Sequence, residues 1–138
     1  MQHPLRLRDA TPALRVSDVA RTLAWYREML NFDGAPFPAE PPHEFCILRH
    51  GDAEVMLRRG TPRTAPEPRP YDWDLYLRVE GENIRELYAF LAQKQIVTRR
   101  LERMPYGQAE FEVTDPDGYT ICIAQPLAQM DDLPTPEA

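Results

Sequence analysis

The clearest pattern in the chain lies in residues 106–125, where apolar and polar residues alternate on both sides of a short turn. The turn, residues 115–118, has the sequence DPDG, in which proline presets φ and glycine can adopt a positive φ. Side chains alternate between the two faces of a strand, so this pattern predicts a β-hairpin. One face is apolar and should pack. The other faces outward or lines a cavity, and it carries Glu110, Glu112, Thr120 and Cys122.

A second pattern, near the start, predicts a strand followed by a helix. Residues 12–16 alternate like a short strand, and Ser17 and Asp18 then supply the chemistry of a helix N-cap. Apolar residues next recur with the helical period, which predicts an amphipathic helix that ends near Asn31. The stripe that should enter the core consists of Val19, Leu23, Tyr26 and Leu30.

The remaining segments follow the same two patterns. Residues 33–43 are rich in proline and predict a loop with at most a short edge strand. Residues 44–48 and 53–58 predict a hairpin, and residues 73–79 and 96–101 predict two further strands. Between these last two lies a predicted helix capped by Asn83, with a buried stripe of Ile84, Leu87, Tyr88 and Leu91. Trp25 and Trp73 are expected in the helix-facing core or at its rim.

The chain also repeats itself, which indicates two similar modules. Leu14-Arg15-Val16 recurs as Leu77-Arg78-Val79, an offset of 63 residues, and each copy precedes a predicted helix. In the hairpins an offset of 66 relates Phe45 to Phe111, Ile47 to Val113, Val55 to Ile121 and Leu57 to Ile123. We therefore predict an α+β fold in a single domain of two tandem βαβββ modules. Module one covers about 11–59, a stiff proline-rich connector 60–70, module two about 71–126, and a mobile tail 127–138.

The alternation also predicts where a site would lie. The helices must cover one face of each half, and the opposite faces of a curved mixed sheet can enclose a cleft. The residues assigned to those opposite faces are Thr11, Ala13, Arg15, Glu44, Cys46, Glu54, Met56 and Arg58 in module one, and Asp74, Tyr76, Arg78, Glu110, Glu112, Thr120, Cys122 and Ala124 in module two. The alternative is that many of these side chains simply face solvent.

Composition narrows the classes of function. A net charge of -6 argues against nucleic-acid binding, which favours a basic surface, and would suit a cationic ligand. Two cysteines in 138 residues are too few for a disulfide framework and suggest a reducing compartment. The chain has neither an apolar run of membrane-spanning length nor the apolar region of a signal peptide. We therefore expect a cytoplasmic protein without membrane contact.

Two motifs resemble a known family. The sequences LRVSDVARTLAWYREML (14–30) and YGQAEFEVTDPDGYTICIAQ (106–125) are similar to the first strand and helix, and to the closing hairpin, of the vicinal oxygen chelate superfamily. This superfamily contains glyoxalases, bleomycin-resistance proteins and extradiol dioxygenases. Together with the repeat, the resemblance covers most of residues 11–126.

In metal-dependent members of that family, four strand positions carry His, Gln or Glu ligands. By resemblance these positions fall on Thr11, Met56, Asp74 and Cys122, and the two repeat offsets relate them in pairs. Thr11 and Met56 are poor ligands for hard divalent ions. Asp74 with Cys122 would need two further ligands to hold zinc. We therefore expect no metal and no cofactor, and a binding protein in preference to an enzyme.

The resemblance is greatest to the metal-free bleomycin-resistance branch, which shares an aromatic-Gly-Gln stretch like Tyr106-Gly107-Gln108. Members of that branch sequester a drug in clefts at a homodimer interface, using aromatic walls and acidic charge. By resemblance we expect a homodimer that binds an aromatic or cationic small molecule. The candidate ligand-binding residues are Asp74, Tyr76, Tyr106, Glu110, Glu112, Cys122, Arg15 and Arg78.

Several alternatives stay open at this point. Arg15, Arg58 and Arg78 would prefer an anionic ligand unless they first pair with Glu110 or Glu112. Cys122 is a nucleophile or, as we favour, an inert cleft wall, because a neighbouring carboxylate raises the pKa of a thiol. The alternative functions are a metal-dependent glyoxalase-type lyase, isomerase or dioxygenase, and a structural dimer with an empty cleft.

Overall fold

In a computed structural model, described for residues 1–63, 67–81 and 83–137, the chain forms two modules of the same type. Residues 64–66 of the predicted connector lie outside the described residues. The elements in chain order are β1 Ala13–Val16, α1 Val19–Leu30, β2 Pro36–Phe37, β3 Phe45–His50, β4 Ala53–Arg59, β5 Leu75–Arg78, α2 Ile84–Gln93, β6 Val97–Arg103, β7 Ala109–Thr114 and β8 Thr120–Gln125. No described helix has the length and apolar character needed to span a membrane.

Within the described residues, each module contributes a four-stranded mixed sheet. The strand orders are β1-β4-β3-β2 and β5-β8-β7-β6. The outer pairs β1–β4 and β5–β8 are parallel, and the other pairs are antiparallel. The α+β fold of two βαβββ modules is therefore confirmed.

Strand pairing supports the repeat offsets of β1 with β5 and of β4 with β8, and corrects the offset of β3 with β7. Ala13 pairs with Met56 and Tyr76 with Cys122, which supports the offsets of 63 and 66. In the hairpins, however, Cys46 pairs with Leu57 while Phe111 pairs with Ile123. The offset from β3 to β7 is therefore 65 and not 66.

This shift of one residue turns the predicted faces of β3 over, because side chains alternate along a strand. Cys46 and Leu48 are fully buried in the core, whereas Phe45 and Ile47 are half-buried on the opposite face. The assignment of Cys46 to the cleft face was wrong. The physical reason is the turn, which holds residues 51–52 in module one and 116–118 in module two.

The two helices begin in different ways. Asp18 caps α1 as predicted, since its side chain accepts the N–H of Arg21 at 3.1 Å, and α1 ends at Asn31 in the left-handed conformation with φ 57°. Asn83 does lie at the N-cap of α2 but makes no side-chain capping bond. Instead, Gln125 at the end of β8 accepts the N–H of Ile84 at 3.0 Å.

The DPDG turn joins the two modules within one chain. The Asp117 carboxylate accepts hydrogen bonds from four donors at the start of α1, namely the Ser17 N–H and hydroxyl, the Arg21 guanidinium and the Thr22 hydroxyl, at 3.0–3.2 Å. Asp115 accepts the hydroxyl of Tyr26 at 2.8 Å. Both carboxylates are buried, so the turn of module two completes the N-terminal cap of a helix in module one.

Part of the expected mobile tail, residues 132–134, lies against module two. Leu133 is buried, the N–H of Arg103 donates to the carbonyl of Pro134 at 2.7 Å, and Asp132 pairs with Arg85 at 2.8 Å. The mobility of the tail in solution stays a prediction.

Stability should depend on pH through Asp115. Burial raises the pKa of this carboxyl from its ordinary 3.8 to about 6, so the folded state binds the proton more tightly than the unfolded state does. The contribution to stability is fully present below pH 3.8 and is lost as pH rises through 6. Relative to Asp115→Asn, the wild type should lose about 3 kcal/mol of unfolding free energy across this window.

Urea denaturation at about pH 4 and pH 7 measures this difference. Asp52→Asn, in the exposed turn of module one, is the matched control and should leave the pH profile unchanged. A wild type and an Asp115→Asn variant with parallel profiles would contradict the assignment.

Candidate functional site

The face of the closing hairpin that the sequence leaves undecided is buried. Glu110, Glu112 and Cys122 are 0%, 1% and 0% exposed, although they point away from the apolar face formed by Phe111, Ile123 and their neighbours. Buried carboxylates require hydrogen bonds or opposite charge. The partners of these carboxylates define the candidate site.

The opposite charge comes from Arg99 in β6. Its Nη1 donates to Glu102 Oε2 at 2.7 Å, its Nε lies 2.7 Å from Glu112 Oε2, and its Nη2 lies 3.5 Å from Glu110 Oε1. The Nε–H does not point along the line to the Glu112 oxygen, so that contact is an ion pair without an aligned hydrogen bond. We call Arg99, Glu102, Glu110 and Glu112 the Arg99 cluster.

The Arg99 cluster holds more negative than positive charge. Three carboxylates surround one guanidinium, so the formal charges add to -2. Burial disfavours the charged form of Arg99, but the carboxylates, Glu112 foremost, outweigh that effect and raise the pKa of the guanidinium. Burying such a cluster of charged side chains costs free energy, so each of its carboxylates needs hydrogen-bond donors.

Four aromatic residues supply those donors and cover the cluster. We call Tyr71, Trp73, Tyr76 and Tyr106 the aromatic cover. The hydroxyls of Tyr76 and Tyr106 both donate to Glu110 Oε2 at 2.7 Å. Trp73 Nε1 donates to Glu112 at 2.8 Å.

Tyr71 makes the largest number of these contacts. Its N–H donates to both oxygens of Glu112 at 3.2 and 3.1 Å, and its hydroxyl donates to Glu102 at 2.9 Å. The Arg99 Cζ lies 4.2 Å from the centroid of the Tyr71 ring, a cation–π contact. Tyr71 also has φ 66°, a conformation that L residues rarely adopt.

The aromatic cover is open to solvent at its rim. Tyr106, Tyr71 and Trp73 are 54%, 46% and 38% exposed, whereas the carboxylates beneath them are buried. A recess of about 400 Å³ lies beside the cover, lined by Tyr71, Arg100, Glu102 and Glu137. The site therefore consists of a buried acidic floor, an aromatic cover and an opening that reaches Glu102.

The structure brings together five of the eight predicted site residues, namely Tyr76, Tyr106, Glu110, Glu112 and Cys122. Arg78 lies at the edge, with its guanidinium carbon 5.4 Å from the Tyr76 ring centroid. Asp74 pairs with Arg69 and accepts the N–H of Thr120 at 2.9 Å. Arg15 has an exposed side chain on β1. The role of all eight in ligand binding stays a prediction.

Sequence reasoning missed Arg99, Glu102 and Tyr71. It left open whether Arg15, Arg58 or Arg78 pairs with Glu110 or Glu112, and the structure places Arg99 there instead. It also assigned Trp73 to the core or rim, whereas the indole is hydrogen bonded to Glu112. Strict alternation along β6 would place the Arg99 side chain on the same face as Val97 and Leu101. The pairing of β6 with β7, however, has register shifts on both sides of Arg99. Such irregularities redirect side chains.

The four positions that resemble metal ligands carry other contacts. The Thr11 hydroxyl donates to Glu54 at 2.7 Å, Met56 is half-buried, and Asp74 is engaged by Arg69. Among residues 1–63, 67–81 and 83–137, no three His, Cys, Asp or Glu side chains are placed to share an ion. Hydroxyl, thioether, thiol and a paired carboxylate do not fit a hard divalent cation.

Cys122 should be chemically inert in the folded protein. Its burial, and then the charge of Glu110, raise the pKa of the thiol well above its ordinary range. The unreactive thiol form therefore persists at pH 8. We expect iodoacetamide to leave Cys122 and the equally buried Cys46 unmodified for hours under native conditions, as measured by mass spectrometry.

Unfolding in urea should make both thiols react within minutes, which controls for the reagent. If iodoacetamide rapidly modified Cys122 in the folded protein, Cys122 would be a reactive thiol, and its role as a nucleophile would be supported.

Comparison with known proteins places the chain in a family. The profile of the Glyoxalase/Bleomycin resistance protein/Dioxygenase superfamily matches residues 9–123. A search among curated proteins found no match.

Solved structures share the fold. A glyoxalase-related enzyme from Clostridium phytofermentans has a TM-score of 0.72 at 16% identity, covering 91% of this chain and 100% of that one. A lactoylglutathione lyase from Agrobacterium tumefaciens has a TM-score of 0.65 at 16% identity, covering 87% and 95%. A bleomycin-binding protein in complex with bleomycin has a TM-score of 0.63 at 23% identity, covering 86% and 98%. Since the superfamily profile spans most of the chain, this protein belongs to the Glyoxalase/Bleomycin resistance protein/Dioxygenase superfamily.

Proposed function

We propose that this protein is a metal-free small-molecule-binding protein of the bleomycin-resistance type, which sequesters an aromatic cation at the Arg99 cluster. One observation carries the proposal: a buried floor of three carboxylates and one guanidinium lies directly beneath four aromatic side chains. The enzymatic alternative has no comparable support, because the residues at the ligand positions do not suit a catalytic metal.

Electrostatics favours a cationic ligand. The formal charge of -2 in the cluster lies in a region sheltered from water, where attraction between opposite charges is stronger than in bulk solvent. A ligand that brings one positive charge would partly offset this excess. An anionic ligand would meet two carboxylates, Glu102 and Glu137, and only one guanidinium, Arg100, in the recess, and is therefore disfavoured there.

Aromatic contacts favour a planar ligand. Tyr71, Trp73 and Tyr106 present partly exposed rings whose polar ends are held by the carboxylates below. Rings held in this way lose little further freedom when a flat molecule stacks on them. The relative solved with bleomycin supports this class of ligand, although at 23% identity its likeness concerns the fold.

We also propose that the working form is a cytoplasmic homodimer. Tyr106, Tyr71 and Trp73 form a rim of exposed aromatic side chains that a second chain could cover while completing the walls of the cleft. Both cysteines are free and buried, which suits a reducing compartment.

Calorimetry tests the ligand class. N-methylquinolinium should bind at least about tenfold more tightly than neutral quinoline, which has nearly the same shape without the charge, and bleomycin should bind as well. Glu112→Gln keeps the shape of the side chain and removes its charge. We expect it to weaken binding of the cation by about tenfold, the typical worth of a charge-assisted contact.

Glu44→Gln is the matched control, because Glu44 is an exposed carboxylate of module one that pairs with Arg59. It should bind like the wild type. Equal affinity for the cation and the neutral analogue, or no binding of either, would refute sequestration of aromatic cations.

Sedimentation equilibrium tests the dimer. The wild type should show twice the mass of one chain, and Tyr106→Arg should shift the equilibrium to monomer because it places a charge in the proposed interface. Phe90→Arg replaces an equally exposed aromatic residue on α2 and should stay dimeric. A wild type that sediments as a monomer at all concentrations would exclude the dimer.

A further inference from the structure

We infer that Arg99 is an internal placeholder for the ligand, and that the cationic group of the ligand is planar, of the guanidinium or amidinium type. On this inference the guanidinium of Arg99 occupies the position that the ligand's cation takes, and binding displaces it. The inference rests on the proposed function in assigning the ligand to this site, and goes beyond it in naming the group recognised and the residue that competes with it.

The surroundings of Arg99 match those that proteins build for a bound guanidinium. Its Nη1 has Glu102 at 2.7 Å, its Nε has Glu112 at 2.7 Å, and its face is covered by the Tyr71 ring at 4.2 Å. A guanidinium is planar, donates several N–H groups in fixed directions and stacks on aromatic rings, whereas an ammonium does not. Carboxylates at the edge and an aromatic ring on the face therefore suit a guanidinium. The side chain is 5% exposed, so the cage is nearly closed.

The fit of Arg99 is nevertheless incomplete. Its buried Nε–H has no aligned acceptor, and its Nη2 lies 3.5 Å from Glu110 and 3.9 Å from the Cys122 sulfur. Arg100 Nε lies 3.6 Å from Glu102, so three carboxylates face two guanidinium groups and one negative charge stays in excess. A free ligand, which is not tied to a strand, could align with these acceptors better than Arg99 does.

The backbone of β6 is irregular around Arg99. Register shifts flank it on both sides in β6, so its direction is not fixed by regular pairing. Arg99 also lines a groove of about 540 Å³ between α2 and β6, with Tyr88, Gln95 and Thr98 among its other walls. This groove lies on the helix side of the sheet, opposite the cluster, so displacement of Arg99 requires β6 to shift at its irregular pairs.

Removing Arg99 should create a binding site for a small planar cation. In Arg99→Ala, methylguanidinium at low millimolar concentration should raise Tm by roughly 3–5 °C, while methylammonium at equal ionic strength should raise it by no more than about 1 °C. Trp73 lies at the cluster, and its fluorescence should change on titration. The wild type, whose site is filled, should show no Tm shift with methylguanidinium.

Arg103→Ala is the matched control, since Arg103 belongs to the same strand but pairs with Asp131 at the surface. It should behave like the wild type. If Arg99→Ala does not fold because its carboxylates are uncompensated, the double variant Arg99→Ala/Glu110→Gln restores the original charge balance, keeps the two carboxylates nearest the guanidinium and should show the same selectivity for methylguanidinium.

The outcomes separate this inference from the proposed function. A folded Arg99 variant that responds to methylguanidinium no more than Arg103→Ala, while the wild type binds N-methylquinolinium, would overturn the placeholder and leave the proposed function standing. A variant that gains methylguanidinium binding, while the wild type binds no aromatic cation, would support Arg99 as the occupant and overturn the proposed function.

Discussion

The structure of module two depends on a single constraint: three buried carboxylates must be satisfied in one place. Glu102, Glu110 and Glu112 receive one guanidinium, three phenol hydroxyls, one indole N–H and one backbone N–H. Each donor fixes the element that carries it, because an unsatisfied buried carboxylate costs several kcal/mol. The irregular path of β6, the course of residues 71–74 and the position of Tyr106 before β7 all follow from this requirement.

The same constraint links fold and site. The chain that follows the proline-rich connector returns across module two so that Tyr71 and Trp73 reach Glu112. At the turn of the hairpin, Asp115 and Asp117 bind α1 of module one. The hairpin of residues 109–125 therefore joins the modules through its turn and carries the candidate site on its strands. Substitutions of site residues on the strands, which would change the ligand that is bound, therefore leave the turn and its contact with module one unaffected.

Local patterns were enough to predict the helices and main strands, the repeat except at β3, and five side chains that the structure brings together in the candidate site. The hairpin has alternation and a DPDG turn, and α1 has a clear helical period and cap. The failures have causes that alternation and helical period do not show. The face of β3 depended on a turn one residue shorter than its repeat, and the cap of α2 came from Gln125, distant in sequence. Arg99 was hidden because pairing irregularities, which alternation cannot reveal, turn it toward the carboxylates.

The unequal turns of the two hairpins limit how the repeat could be recombined. Strand β8 follows β4 at an offset of 66 residues, but β7 follows β3 at 65. A chimera that replaced β3 alone at the uniform offset of 66 would turn Glu112 toward the core and Phe111 toward the opposite face. Exchange of a whole hairpin, with its turn included, would keep every side chain on its face. A whole hairpin, and not a single strand, is therefore the smallest segment that can be exchanged between the two modules with every side chain kept on its face.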